Sequence, residues 1–292
     1  MLLSGVGFSI LAMLAWTFGD FAIHRATKEL GIWKSIFWIG AIAVLVMSPW
    51  AFSDLQTHPI SPQHALLLGL ACVIGFIAAI SNFYAWKIGK LSVIQPVLGL
   101  EVLVTAGLSW ILVHEVLTII QFIFILLAFI GFIFVSLTAS WKTDFRKRGV
   151  EKGVLVAFLG AILLGASSVM HGIMSRALTP ILLLWSTHLF IACCSAGIII
   201  RAEGFRWIKK DLQKHSGLIL FMAVVDNIAW LSYGYATTLL PIAVATTIGL
   251  GYVPLSSILG VTVNREKLTT HQLFGIFLIL VSVFFFGYTA ST

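Results

Sequence analysis

The chain is cut into apolar runs of near 20 residues by short polar stretches. A hydrocarbon core about 30 Å thick is crossed by roughly 20 apolar residues in a helix, which bonds its own backbone where no water can. Runs bounded by charge, Gly or Pro lie near Gly5 to Ile23, Trp33 to Phe52, Leu66 to Trp86, Ser92 to Val113 and Leu117 to Leu137. Five more lie near Gly153 to Met174, Leu182 to Ile200, Leu218 to Thr237, Ile242 to Val263 and Leu273 to Tyr288. Composition agrees, since 60% hydrophobic and 10% charged residues leave too few ionisable groups to coat a soluble 31.9 kDa fold. The expected class is an all-α membrane protein with ten transmembrane helices.

Charge supplies the sidedness. Of the 18 Lys and Arg residues, seventeen fall in the loops that follow odd-numbered spans, and only Arg176 falls on the other face. Under the positive-inside rule this split puts both termini on the non-cytoplasmic side of a cytoplasmic (inner) membrane. The basic residues form no stripe, which argues against a nucleic-acid partner. The run Arg146-Lys147-Arg148 reads as a solvated or lipid-headgroup face. Cys72, Cys193 and Cys194 sit inside apolar runs without metal-ligand spacing, so neither disulfides nor a zinc site is expected. The first segment lacks a basic n-region and reads as an uncleaved helix.

An offset of 151 residues aligns the two halves: Ile77-Ala78-x-x-Ser81-x-x-Tyr84-Ala85 falls on Ile228-Ala229-x-x-Ser232-x-x-Tyr235-Ala236. The same offset pairs Arg25-Ala26 with Arg176-Ala177, Glu115 with Glu266 and Gln121 with Gln272. Five helices is an odd number, so the second copy enters the bilayer inverted. The expected organisation is a first repeat over 1–141, a basic cytoplasmic linker over 142–152 and an inverted repeat over 153–292. Inverted repeats set a substrate site near the midplane and let the halves exchange conformations.

The pattern Leu14-Ala15-Trp16-Thr17-Phe18-Gly19, with the runs from Pro254 to Glu266, Gln272 and Gly275 and from Glu115 to Gln121 and Gly131, resembles the drug/metabolite transporter superfamily. Within it the chain is similar to the ten-helix EamA-type transporters, and Trp16 through Gly31 looks most like that group's aromatic amino acid exporters. The resemblance implies ten helices, secondary transport and export. It also implies a central cavity to which the fourth and eighth helices contribute. The first half departs from the family in lacking a proline near Leu103, with Glu101 just before that point.

A carboxylate near the bilayer centre costs at least ~2.5 kcal/mol on insertion scales, so it marks function unless a structural partner accounts for it. Glu101 and Asp226 fall about midway along the fourth and eighth spans. Either accepts a substrate ammonium or carries a coupling proton in the functional reading. In the bland reading each is protonated, or hydrogen-bonded to Asn227, Gln95 or Ser109, and holds helices together. Asp226, Trp230 and Tyr233 recur at i, i+4 and i+7 and share one face, set against Gly75, Ala79 and Asn82 under the offset. Indole suits an apolar or aromatic body and carboxylate an amine. Tyr233 also fits an interfacial anchor.

Trp16, Asp20 and His24 share a face of the first helix, and the offset pairs Asp20 with His171 and Glu101 with Tyr252. Asp20 with His24 reads as a cytoplasmic gate or proton-coupling pair and His171 as its counterpart at the outer mouth. The bland reading of Asp20 is local pairing with His24 or Arg25. Glu115 and Glu266 read as caps for the helices that follow them, and Gly131 and Gly275 as close-packing positions. The substrate-lining set is therefore Trp16, Asn82, Glu101, Asp226, Asn227, Trp230, Tyr233 and Tyr252.

No nucleophile triad, metal cluster, phosphate loop or Walker motif is present in the sequence, so no enzyme activity, cofactor or metal is expected. The expected function is export of amino acids or similar small amine-bearing metabolites by alternating access. The rivals are a proton-coupled exporter of lipophilic or aromatic cations, a sugar or lipid-headgroup translocator, and a non-transporting membrane subunit. The expected partners are a small-molecule substrate and the bilayer, with a monomer or homodimer equally compatible.

Overall fold

The structure, a computed structural model, describes residues 2–57, 59–89, 91–115, 117–136, 148–205, 207–256, 259 and 270–291. Its first repeat holds α1 (Leu2–Glu29), α2 (Ile32–Thr57), α3 (Pro62–Ile88), α4 (Leu91–Leu98), α5 (Glu101–Val113) and α6 (Ile119–Ser136). The second holds α7 (Arg148–Ala177), α8 (Pro180–Glu203), α9 (Trp207–Leu239), α10 (Ile242–Gly249) and α11 (Thr270–Ser291). Among the described residues there is no strand. Six helices, α1, α2, α3, α8, α9 and the Gly153–Ala177 part of α7, are long and apolar enough to cross a membrane. Shorter apolar stretches over Glu101–Val113, Ile119–Phe134, Ile242–Ser256 and Leu273–Ser282 complete the ten spans.

Local signals set the ends. Ser61 and Thr179 are N-caps whose side chains accept from the His64 and Leu182 amides, at 3.2 and 3.1 Å, with Pro62 and Pro180 just inside. Gly31 turns the chain between α1 and α2 at φ 92°, a conformation that disfavours any side chain.

Two spans read as continuous helices are in fact broken. The fourth bends at Gly99–Leu100, between α4 and α5. The ninth bends at Leu250–Gly251, between α10 and the helical residues 252–256. At the first bend the amides of Leu100 and Val102 reach only three residues back, to Val97 and Gly99 (3.2 and 3.3 Å). Gly251 and Val253 do the same to Ile248 and Leu250, both at 3.1 Å. The positions correspond under the 151-residue offset, so the kink belongs to the repeat. Tightened turns let a helix change direction inside a bilayer without orphaning its backbone. The α9 helix is also interrupted, with His215 at φ −132° and ψ 18°.

Packing follows a pseudo-two-fold axis. The most extensive pairings are α1 with α9 and α3 with α7, which the axis exchanges, and α2 with α8 and α6 with α11, which it maps onto themselves. A Cβ on Gly40 of α2 would lie 2.7 Å from the His188 carbonyl of α8. One on Gly131 of α6 would lie 2.8 Å from the Gly275 carbonyl of α11. Both seams therefore rest on backbones approaching more closely than any larger residue permits. Arg146, Lys147, Arg265, Glu266 and residues 142–145 of the expected linker lie outside the described residues, whereas its last part, from Arg148, begins α7.

Candidate functional site

The two kinks turn Glu101 and Tyr252, the first residues beyond each bend, into a central cavity enclosed by both repeats. Its free volume is about 120 Å³. Of the residues singled out in the sequence, Trp16, Asp20, Asn82, Glu101 and His171 line it. Asp226, Trp230, Tyr233 and Tyr252 line it as well.

Aromatic rings pack against one another on one side. Trp16 meets Trp230 edge-on at 5.3 Å between centroids, Tyr233 at 5.6 Å and Tyr252 at 5.9 Å. The His171 ring lies 4.7 Å from Trp230. Room for the Trp16 indole comes from Gly249, where a Cβ would stand 3.0 Å from the ring. The Tyr233 hydroxyl is 2.8 Å from Thr246 Oγ1 and 3.3 Å from the Ser168 carbonyl, so this tyrosine is a buried strut and not an interfacial anchor.

Three carboxyl groups share the chamber. Gln95 Nε2 donates to Asp20 Oδ2 at 2.8 Å, and Ser168 Oγ donates to Glu101 Oε1. Asp226 is 7% exposed and receives no hydrogen bond from any described residue. The structural partners anticipated for the midplane acids are thus differently employed. Gln95 serves Asp20, Ser109 bonds the Ala106 carbonyl, and Asn227 donates to the carbonyls of Ile39 (3.2 Å) and Ala223 (2.7 Å). Asn227, expected in the wall, does not line the cavity and ties α9 to α2.

Asp20 and His24 do not form the expected gate pair. A step of four residues turns a helix by about 40°. That is enough to leave Asp20 in the chamber and His24 outside it, with its Nε2 unpartnered. His171 lines the same cavity as Asp20. Sequence reasoning missed Ser168 and Thr246. The offset carries Thr17 to Ser168 and Gln95 to Thr246, so polar residues recurring at matched buried positions were the available signal. Glu115, expected to cap the helix after it, instead accepts from the Ile242 amide that begins α10, at 2.8 and 3.0 Å. Arg176 pairs with it at 2.7 Å.

The model of the family described as "EamA-like transporter family" matches residues 3–137 and again 151–288. The chain belongs to the EamA-like transporter family. This membership, in the drug/metabolite transporter superfamily, makes the chain a multi-pass membrane protein that transports small molecules. The two matches fall on the two halves that the 151-residue offset relates. Among 28 matching solved chains, one described as "Crystal structure of protein" superposes with a TM-score of 0.72 at 17% identity, over 96% of this chain and 95% of that one. At that identity the likeness concerns the fold. No curated protein matches the sequence.

Proposed function

We propose that this EamA-like chain is a secondary transporter that exports amino acids or similar small amine-bearing metabolites by alternating access. The observation that carries the reading is Asp226, a buried carboxyl in the cavity wall with no donor among the described residues, in the same cavity as the aromatic group of Trp16 and Trp230. An ammonium group supplies what that carboxyl lacks, three donors and an opposite charge, and indole faces attract the same group. The reading includes insertion in the cytoplasmic membrane with both termini on its outer side, supported by the seventeen-to-one split of basic residues. A second reading, export of lipophilic aromatic cations, draws on the same ring cluster. A sugar or headgroup carrier is less well supported, because the Asn227 amide is committed to backbone carbonyls.

The test is counterflow of radiolabelled amines and amino acids into liposomes holding the purified protein, alongside Asp226→Asn. We expect uptake of at least one amine-bearing compound, reduced at least about tenfold in the variant, as for loss of a charge-assisted hydrogen bond. Equal flux through Asp226→Asn and wild type, with the variant folded, would remove Asp226 from the site.

A further inference from the structure

The chamber's charge balance separates two substrates that the proposed function leaves together, an amino acid and the amine that remains when its carboxylate is absent. This narrowing rests on that reading of the site. We infer that the cavity selects a net cation without a carboxylate group over the zwitterionic amino acid with the same side chain.

Three observations support this. Asp20, Glu101 and Asp226 all line the cavity, and Asp20 lies within electrostatic reach of both others. Among the described lining residues there is no Lys or Arg to balance them. Arg176, the basic residue on the sparsely basic face, is held by Glu115. A zwitterion would bring a further carboxylate into an enclosure that already holds three acids and, among its described lining residues, no Lys or Arg.

Two of the lining hydroxyls are also committed to backbone carbonyls. Thr187 donates to the Leu184 carbonyl at 3.0 Å and Thr246 to that of Ile242 at 2.9 Å. Broken helices often aim free backbone amides at a bound carboxylate. Here the amides of Gly99, Leu100, Val102 and Leu103, and those of Leu250, Gly251 and Val253, are bonded to backbone carbonyls within the chain. The start of α5, where a helix dipole attracts an anion, already carries the chain's own carboxyl in Glu101. The aromatic group of Trp16, Trp230 and Tyr252 presents ring faces that favour an organic ammonium.

The experiment uses the full chain in liposomes and compares counterflow of matched pairs, tyramine with tyrosine and tryptamine with tryptophan, adding tyrosine methyl ester as a carboxylate-masked analogue. We expect each amine to be carried at least about tenfold better than its amino acid, with the ester following the amine. Tyrosine or tryptophan carried as well as its amine would overturn the charge selection while leaving transport of amine-bearing compounds intact. Flux of none of the five would overturn both. As a second readout on the same protein, quenching of its tryptophan fluorescence by tyramine but not by tyrosine supports the inference, and equal quenching defeats it.

Discussion

Arg25 and Arg176 occupy the same position in the two repeats and live in opposite circumstances. Arg176 donates from Nε to the Thr237 carbonyl at 2.7 Å and from one terminal nitrogen to Glu115 at 2.7 Å and the Leu240 carbonyl at 2.9 Å. Glu115 in turn holds the first amide of α10. One ion pair thereby gathers the ends of α7, α9 and α10 with the segment after α5. At the basic end, Arg25 has a side chain 68% exposed and pairs with Glu29 one turn along its own helix. Cohesion there comes from other groups, with Lys34 at 2.7 Å from Glu203 and 3.7 Å from Asp211, and His215 at 3.1 Å from Glu29. Equivalent sequence thus produces an inter-helix clasp at one end and a solvated local pair at the other. The repeats share a backbone plan and differ in how their ends are fastened.

The difference can be broken most severely at Glu115. Glu115→Ala removes a carboxylate only 9% exposed, strips the Arg176 pair and uncaps α10, so we expect a loss of about 3 kcal/mol in unfolding from detergent micelles. Arg176→Lys keeps the charge but loses the fork that serves three acceptors at once. Its cost should be about 1.5 kcal/mol in the same assay, and a cost no greater than that of Arg25→Lys would refute the clasp. Arg25→Ala should fall below about 0.5 kcal/mol, as exposed i,i+4 pairs do. If Arg25→Ala proved as damaging as Glu115→Ala, the two ends would be fastened alike and the contrast would fail.

A similar asymmetry runs through the cavity. Asp226 and Trp230 face their repeat counterparts Gly75 and Ala79, and Glu101 and Asp20 face Tyr252 and His171. Divergence of side chains on a duplicated scaffold sets acid and indole against small residues at one group of positions and acids against phenol and imidazole rings at the other. That contrast was legible in the sequence once the offset was known, because the matched positions were already chemically different.

What the sequence determined by itself was whatever hydropathy and repetition encode locally. Ten spans, their odd-numbered duplication and the seventeen-to-one distribution of basic residues need no knowledge of which helix touches which. Nine of the eleven candidate site residues also line the cavity, since an i, i+4, i+7 stripe of acid and aromatic groups in a span has an unfavourable alternative in lipid. The tertiary structure alone decided the partners. Gln95 reaches Asp20 across 75 positions of chain, Glu115 reaches Ile242 across 127, and Asn227 reaches Ile39 across 188. It also decided that His24 leaves the cavity while Asp20, one turn earlier, stays in it, and that the fourth and ninth spans bend where they do. The physical reason is the same in each case. Hydropathy fixes how long a segment remains in the bilayer, whereas rotation about the helix axis, kinks and hydrogen bonds between distant helices are set by the neighbours each helix packs against.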